Sequence, residues 1–133
     1  MPTGLERSAL AAATAIVDNF ANHRREAYFA AFAPEATFIF HSEPARVESR
    51  AAYEELWAGW ERDSGWRVRS CTSTGARIQL FGSVAVFTHD VETVVEVDGT
   101  EETLHERESI VLESRNGGWI CVHEHLSAAP ASA

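Results

Sequence analysis

The sequence predicts an α+β fold in which three helices precede a long antiparallel meander. Two changes of pattern carry that expectation. Apolar residues recur at helical spacing through the first half of the chain, and period-two alternation replaces them from residue 66 onward. Three turn signals, Gly82-Ser83, Asp98-Gly99 and Asn116-Gly117-Gly118, then divide the second half into strands at 66–81, 84–97, 100–114 and 118–127.

Thr3-Gly4-Leu5-Glu6 is a capping box, in which the Thr3 hydroxyl accepts from an early helix N–H and Glu6 reaches back. Leu5, Ala9, Ala12, Ile16 and Phe20 follow as one apolar stripe. A second, shorter helix after Asn22 carries Tyr28, Phe29 and Phe32 inward and stops at Pro34. Thr37 to His41 has strand composition. Ser49 caps a third helix whose Tyr53, Leu56, Trp57 and Trp60 fall on one face, and Ser64-Gly65 ends it.

The length of 133 residues suits one domain, read as 1–127 with a disordered tail at 128–133. Eleven basic against twenty acidic residues give a net charge of −9, which disfavours nucleic acid as a partner. No run approaches the length of a membrane span, and the apolar stretch from Ala9 to Val17 continues as helix rather than ending as a signal peptide. Cys71 and Cys121 form no C-x-x-C; two thiols in a reducing cytoplasm is the simpler reading, with one disulfide as the alternative.

The hairpins convert alternation into geometry. A two-residue Asp98-Gly99 loop places His89 opposite Glu108, Phe87 opposite Ile110 and Asp90 opposite Arg107. A three-residue Arg115-Asn116-Gly117 loop would place Glu108 opposite Glu124, Ile110 opposite Val122 and Arg107 opposite His125; a two-residue loop would shift the register by one and change the faces. In the first register, a core face is interrupted by His89, Glu108 and Glu124. The other face carries Val84, Val86, Val94, Val111, Trp119 and Cys121 with a polar ladder of Asp90, Arg107, His123 and His125. One layer of helices cannot cover both faces, which predicts a homodimer.

Two carboxyls beside a histidine on an apolar face repel, so one holds a proton or the histidine is charged; such a group can act as acid or base, or can sit at a wet pocket mouth. Asp90, Arg107 and His125 read most simply as a salt-bridged ladder. The His123-x-His125 pair lacks a third ligand in reach, so neither a metal nor a cofactor is expected. Phosphate loops, nucleophile elbows and dinucleotide fingerprints are absent.

The segments from Phe32 to Phe38, Arg107 to Leu112 and Trp119 to Ser127 together resemble the SnoaL-like branch of the NTF2-like superfamily. The ending W-x-x-V-H-x-H-x-S-x-x-P, completed by Pro130, is also similar to the association domain of calcium/calmodulin-dependent protein kinase II. The resemblance implies a cone of three helices on a curved, mostly antiparallel sheet, with a pocket between them and a dimeric assembly. Activities in that superfamily range from isomerases, cyclases and hydrolases to binding and assembly modules. The positions matching the aspartate base and oxyanion tyrosine of ketosteroid isomerases are Phe40 and Ile16, so that mechanism has neither base nor electrophile here. The positions matching the kinase-domain pocket arginines are His89, Ile110 and Leu126, so a carboxylate ligand is not expected. What remains is a pocket for a small, largely apolar ligand. Its walls are read as Phe38, Phe40, Trp57, Ile110 and Leu126, with His89, Glu108 and Glu124 as polar groups and candidate acid/base residues. The alternative is a non-catalytic dimerisation module.

Overall fold

The computed structural model describes residues 3–130. Thr3 caps α1 (Gly4–Ala21) by accepting from the Glu6 N–H at 3.0 Å. Ala9, Ala13 and Ile16 form its buried stripe; Leu5 is 63% exposed because the helix meets the sheet only from its second turn. The short α2 (Arg25–Ala30) follows, then β1 (Phe32–Phe40), α3 (Arg50–Ser64), β2 (Arg67–Phe81), β3 (Val84–Val97), β4 (Thr100–Arg115) and β5 (Gly118–Ala128). Ser49 caps α3 through the Ala52 N–H, and Gly65 closes it in the left-handed region at φ 57°.

Pro34 does not stop the second helix. That helix ends at Ala30, and Pro34 lies exposed within β1, where the pairing with β5 is interrupted between Phe32 and Thr37 and no N–H is required. The strands form one sheet in the order β1-β5-β4-β3-β2, antiparallel except for the β1–β5 pair. Val47 exchanges two hydrogen bonds with Phe38 on the outer margin of β1, at 2.8 and 2.9 Å. The opposite margin, β2, slips register twice against β3, at residues 68–70 and 74–77, and Gly75 takes φ 63° at the second slip.

The β3–β4 hairpin has the expected register, with His89 opposite Glu108 and Asp90 opposite Arg107, across a turn whose Asp98 and Gly99 both have positive φ. The β4–β5 hairpin does not. Its loop is Asn116-Gly117, at φ 52° and 79°, and Arg115 pairs with Gly118. Next to the turn this shift turns Cys121 and Trp119 toward the helices: Cys121 is fully buried opposite Leu112, and the Trp119 indole donates to the Ser8 hydroxyl at 2.9 Å. A bulge between Val111 and Leu112 of the ladder, absorbed at Val122, then restores the original parity. Beyond it Glu108 pairs with Leu126, Ile110 with Glu124, Ser109 with His125 and Arg107 with Ser127. Ala128 belongs to β5 rather than to a loose tail, and residues 131–133 lie outside the described residues.

The core lies between α1–α3 and one face of the sheet. It joins Tyr28, Phe29, Phe32, Phe38, Tyr53 and Trp57 to Phe87, Ile110, Leu112 and Cys121. Both cysteines are free thiols. Among the described residues no helix is long and apolar enough to cross a membrane.

Candidate functional site

Where the core thins toward the open end of the cone, two connected spaces remain. An inner chamber of about 40 Å³ is lined by Ile16, Phe20 and Val17 from α1, Tyr28 from α2, Tyr53 from α3, and Glu108, Glu124 and Leu126 from the sheet. An outer chamber of about 330 Å³ opens to solvent past His41, Trp60, Trp66, Leu104 and Glu106. Phe20, Phe40, Tyr53, Thr93 and Leu126 border both and form the neck between them. Ile16 and Phe40, the positions that the resemblance matched to the tyrosine and aspartate of ketosteroid isomerases, line the inner chamber as apolar wall.

The polar groups come from elsewhere. Tyr28 and Tyr53 bring their hydroxyls to 2.9 Å, and the Tyr28 hydroxyl donates to Glu124 at 3.2 and 3.4 Å. Glu124 is 1% exposed. Its carboxyl is pushed well above the ordinary range by burial first and by the Glu108 charge second, which outweigh the Tyr28 bond. Glu108 is held at 2.7 Å from His89 Nε2, and His89 Nδ1 lies 2.6 Å from the Ser73 hydroxyl. Burial, then the nearby Glu106, raises the Glu108 carboxyl to about 8. Burial lowers His89, against the opposing pull of Asp90, so its imidazole is neutral. The Ser73–His89–Glu108 chain therefore carries one shared acidic proton at neutral pH. Burial also pushes both tyrosines well above their ordinary value. It lifts Cys71 to about 11 and pushes Cys121 well above the ordinary thiol value, which disfavours either thiolate as a nucleophile.

The residues read from the sequence as one pocket divide by depth. Phe40, Glu108, Glu124 and Leu126 line the inner chamber. Phe38, Trp57 and Ile110 are fully buried behind it and border neither chamber. Trp57 is enclosed by Phe20, Tyr28, Phe29, Tyr53 and Trp66, because its helix turns that position into the middle of the aromatic core. His89 touches the chamber only through Glu108. The ladder also separates: Asp90 and Arg107 approach to 3.6 Å on the exposed face, whereas the two-residue turn and bulge move His125 opposite Ser109. His123 is bound instead to the Thr37 hydroxyl at 2.8 Å, its ring 6.3 Å from that of His125. Among the described residues no group of three His, Cys, Asp or Glu side chains is arranged to hold a metal.

Sequence reasoning missed the tyrosine pair as polar groups. The signal was present, because the chain has seven phenylalanines but only two tyrosines, and both meet here. Glu106 was also missed. It is 7% exposed, held by His41 Nε2 at 2.6 Å.

Among curated proteins none matches the chain significantly. Solved structures match its fold throughout. A candidate dehydratase of the NTF2-like family from Streptomyces avermitilis superposes with a TM-score of 0.82 at 14% identity, covering 98% of this chain and 100% of that one. An NTF2-like superfamily protein from Salmonella enterica gives 0.81 at 18% identity, over 97% and 94% of the two chains. The CaMKII hub of S. rosetta gives 0.76 at 19% identity, over 97% and 100%. At these identities the likeness is one of fold. The profile of the SnoaL-like domain, in contrast, matches residues 9–132 of the sequence itself, and the chain belongs to that family.

Proposed function

We propose that this protein binds a small, largely apolar molecule in the two-chambered cavity and moves a proton on it through Glu124 and Glu108, as an isomerase-, dehydratase- or cyclase-type enzyme. One observation supports the reading above the others: two carboxyls and two tyrosine hydroxyls meet in an inner chamber whose other walls are mostly apolar. An apolar wall holds a carboxyl neutral at pH 7, and a neutral carboxyl there is a general acid. When Glu124 holds its proton, it can donate to the Tyr28 oxygen. Tyr28 then donates to Tyr53, and the Tyr53 hydroxyl is free to donate into the chamber it lines. A carbonyl or leaving hydroxyl placed at the neck would meet that donor, while the fraction of Glu108 that is ionised near pH 8 takes the ligand's proton and, once protonated, returns it, with His89 positioning the carboxyl.

Native mass spectrometry of gently purified protein, against its denatured mass, tests the binding step by revealing a retained organic molecule. Incubating that molecule with protein in D₂O tests the proton transfer. Wild type is expected to exchange one carbon-bound hydrogen, and the Glu108→Gln/Glu124→Gln double variant is not. Equal exchange rates in the two proteins would refute the acid/base role.

A second reading, a dimerisation module, is supported by the outer sheet face. Val84, Val86, Val94 and Val111 are half-buried there, on the side away from the helices. Two of the solved relatives carry the names hub and association domain. Both properties fit one protein, since the chambers and the outer face lie on opposite sides of the sheet.

A further inference from the structure

The charge carried by the cavity wall selects among apolar ligands. Neither chamber has an arginine or lysine among its described lining residues, although the chain holds eleven arginines; it has no lysine. Carboxylates take their place. Glu102, Glu106 and Glu108 fall on one face of β4 with Leu104 between the first two, so that Glu106 and Glu108 are about 7 Å apart and Glu102 lies about 13 Å from Glu106. They run from the rim of the outer chamber to the inner one. Glu106 is the deepest of those in the outer chamber, 7% exposed, with its Oε2 held by His41. Aromatic side chains line the same outer chamber: the Trp60 and Trp66 rings meet edge to face with centroids 5.1 Å apart, and Phe40 and Tyr53 meet at 5.0 Å.

An anionic ligand would enter this space beside carboxylates whose one basic neighbour in the lining, the His41 imidazole, is already held by Glu106. A neutral one would displace water from the exposed Glu102 and add no charge to pair with it or with Glu106. A cation satisfies both walls, pairing with the carboxylates and resting on the negative faces of the tryptophans. We infer that the ligand is a small amine in its ammonium form, whose charged head lies in the outer chamber between Glu106 and the Trp60–Trp66 corner. Its apolar body passes the neck at Phe40 and Leu126 toward Tyr53. This inference rests on the cavity being the ligand site and names the class of molecule it takes.

Three probes with one apolar body and three heads test it: 2-phenylethylamine, 2-phenylethanol and 3-phenylpropionate, each titrated into the full-length protein and followed by amide chemical shifts. The amine is expected to bind about tenfold more tightly than the alcohol, with the acid weakest. Its shifts should cluster at residues around Glu106, Trp60 and Trp66. Glu106→Gln keeps an acceptor for His41 and is expected to erase the tenfold preference while leaving the alcohol unchanged. Glu102→Gln, at an exposed rim position that folding does not need, is expected to reduce the preference in part. Equal binding of amine and alcohol, or tighter binding of the acid, overturns the inference and leaves the cavity reading standing. Failure of all three probes to bind overturns the inference together with the cavity reading.

Discussion

Raising the pH from about 6.5 to about 8 is expected to destabilise the fold by about 2 kcal/mol for the Glu108 carboxyl alone. In the folded chain Glu108 keeps its proton up to about 8; in the unfolded chain it loses it near the ordinary 4.5. Between those limits the folded state binds more protons, so stability is greatest at the acid end and falls as pH rises through the folded value. Burial lowers His89 and His123 from 6.5, so their opposite contribution, stability gained with rising pH, continues until their unfolded forms have lost their protons about one unit higher and offsets a minor part of the loss. For Glu108 the 1.5 pH units, at about 1.36 kcal/mol each, give the stated figure. Glu124 is raised by the same burial and adds in the same direction. Urea unfolding followed by the fluorescence of the four tryptophans measures the loss at the two pH values. Glu108→Gln cannot ionise and should show a shallower decline. The double variant with Glu124→Gln should be nearly flat. Equal wild-type stability at both pH values would mean that the carboxyls are charged and hydrated in the folded protein, and the acid/base reading would lose its foundation.

Tyr28→Phe removes the hydroxyl that joins Tyr53 to Glu124 and leaves both buried groups short of a partner. It is expected to cost about 1–3 kcal/mol, and pH-dependent unfolding should show Glu124 titrating still higher. Val111→Glu places a charge among the outer-face valines. It should raise the dissociation constant of any dimer formed through that face at least about tenfold. Sedimentation showing an unchanged assembly would place self-association elsewhere.

The parts of this protein legible in its sequence are those governed by local rules. The Thr3 and Ser49 caps, the Gly65 stop and the Asp98-Gly99 turn each depend on a few adjacent residues, and the turn alone sets the register of fourteen β3–β4 pairs. The His89–Glu108 contact followed directly from that register. The second hairpin was not legible because two departures from regularity, a shorter loop and a bulge, offset one another. Their net effect depends on packing of Cys121 and Trp119 against the helices. Depth was also hidden. Periodicity assigns Phe38, Phe40, Trp57 and Ile110 to the core side, but only the three-dimensional arrangement shows that Phe40 reaches open space while the other three are sealed behind it. Pro34 misled for a related reason, since a residue that ends helices is equally at home where a margin strand skips a hydrogen bond.

Those margins constrain how copies of the chain can meet. On β1, Val47 already occupies the outward hydrogen-bonding groups of Phe38, and Pro34 offers no N–H. On β2, two slips of register and the left-handed Gly75 bend the free rim out of the straight line that another strand would need. Growth of the sheet by lateral addition, the geometry of fibrils, is therefore blocked at both ends. The broad valine-bearing face is left as the surface that the proposed dimerisation would use, and a two-fold contact there would close after two copies instead of propagating.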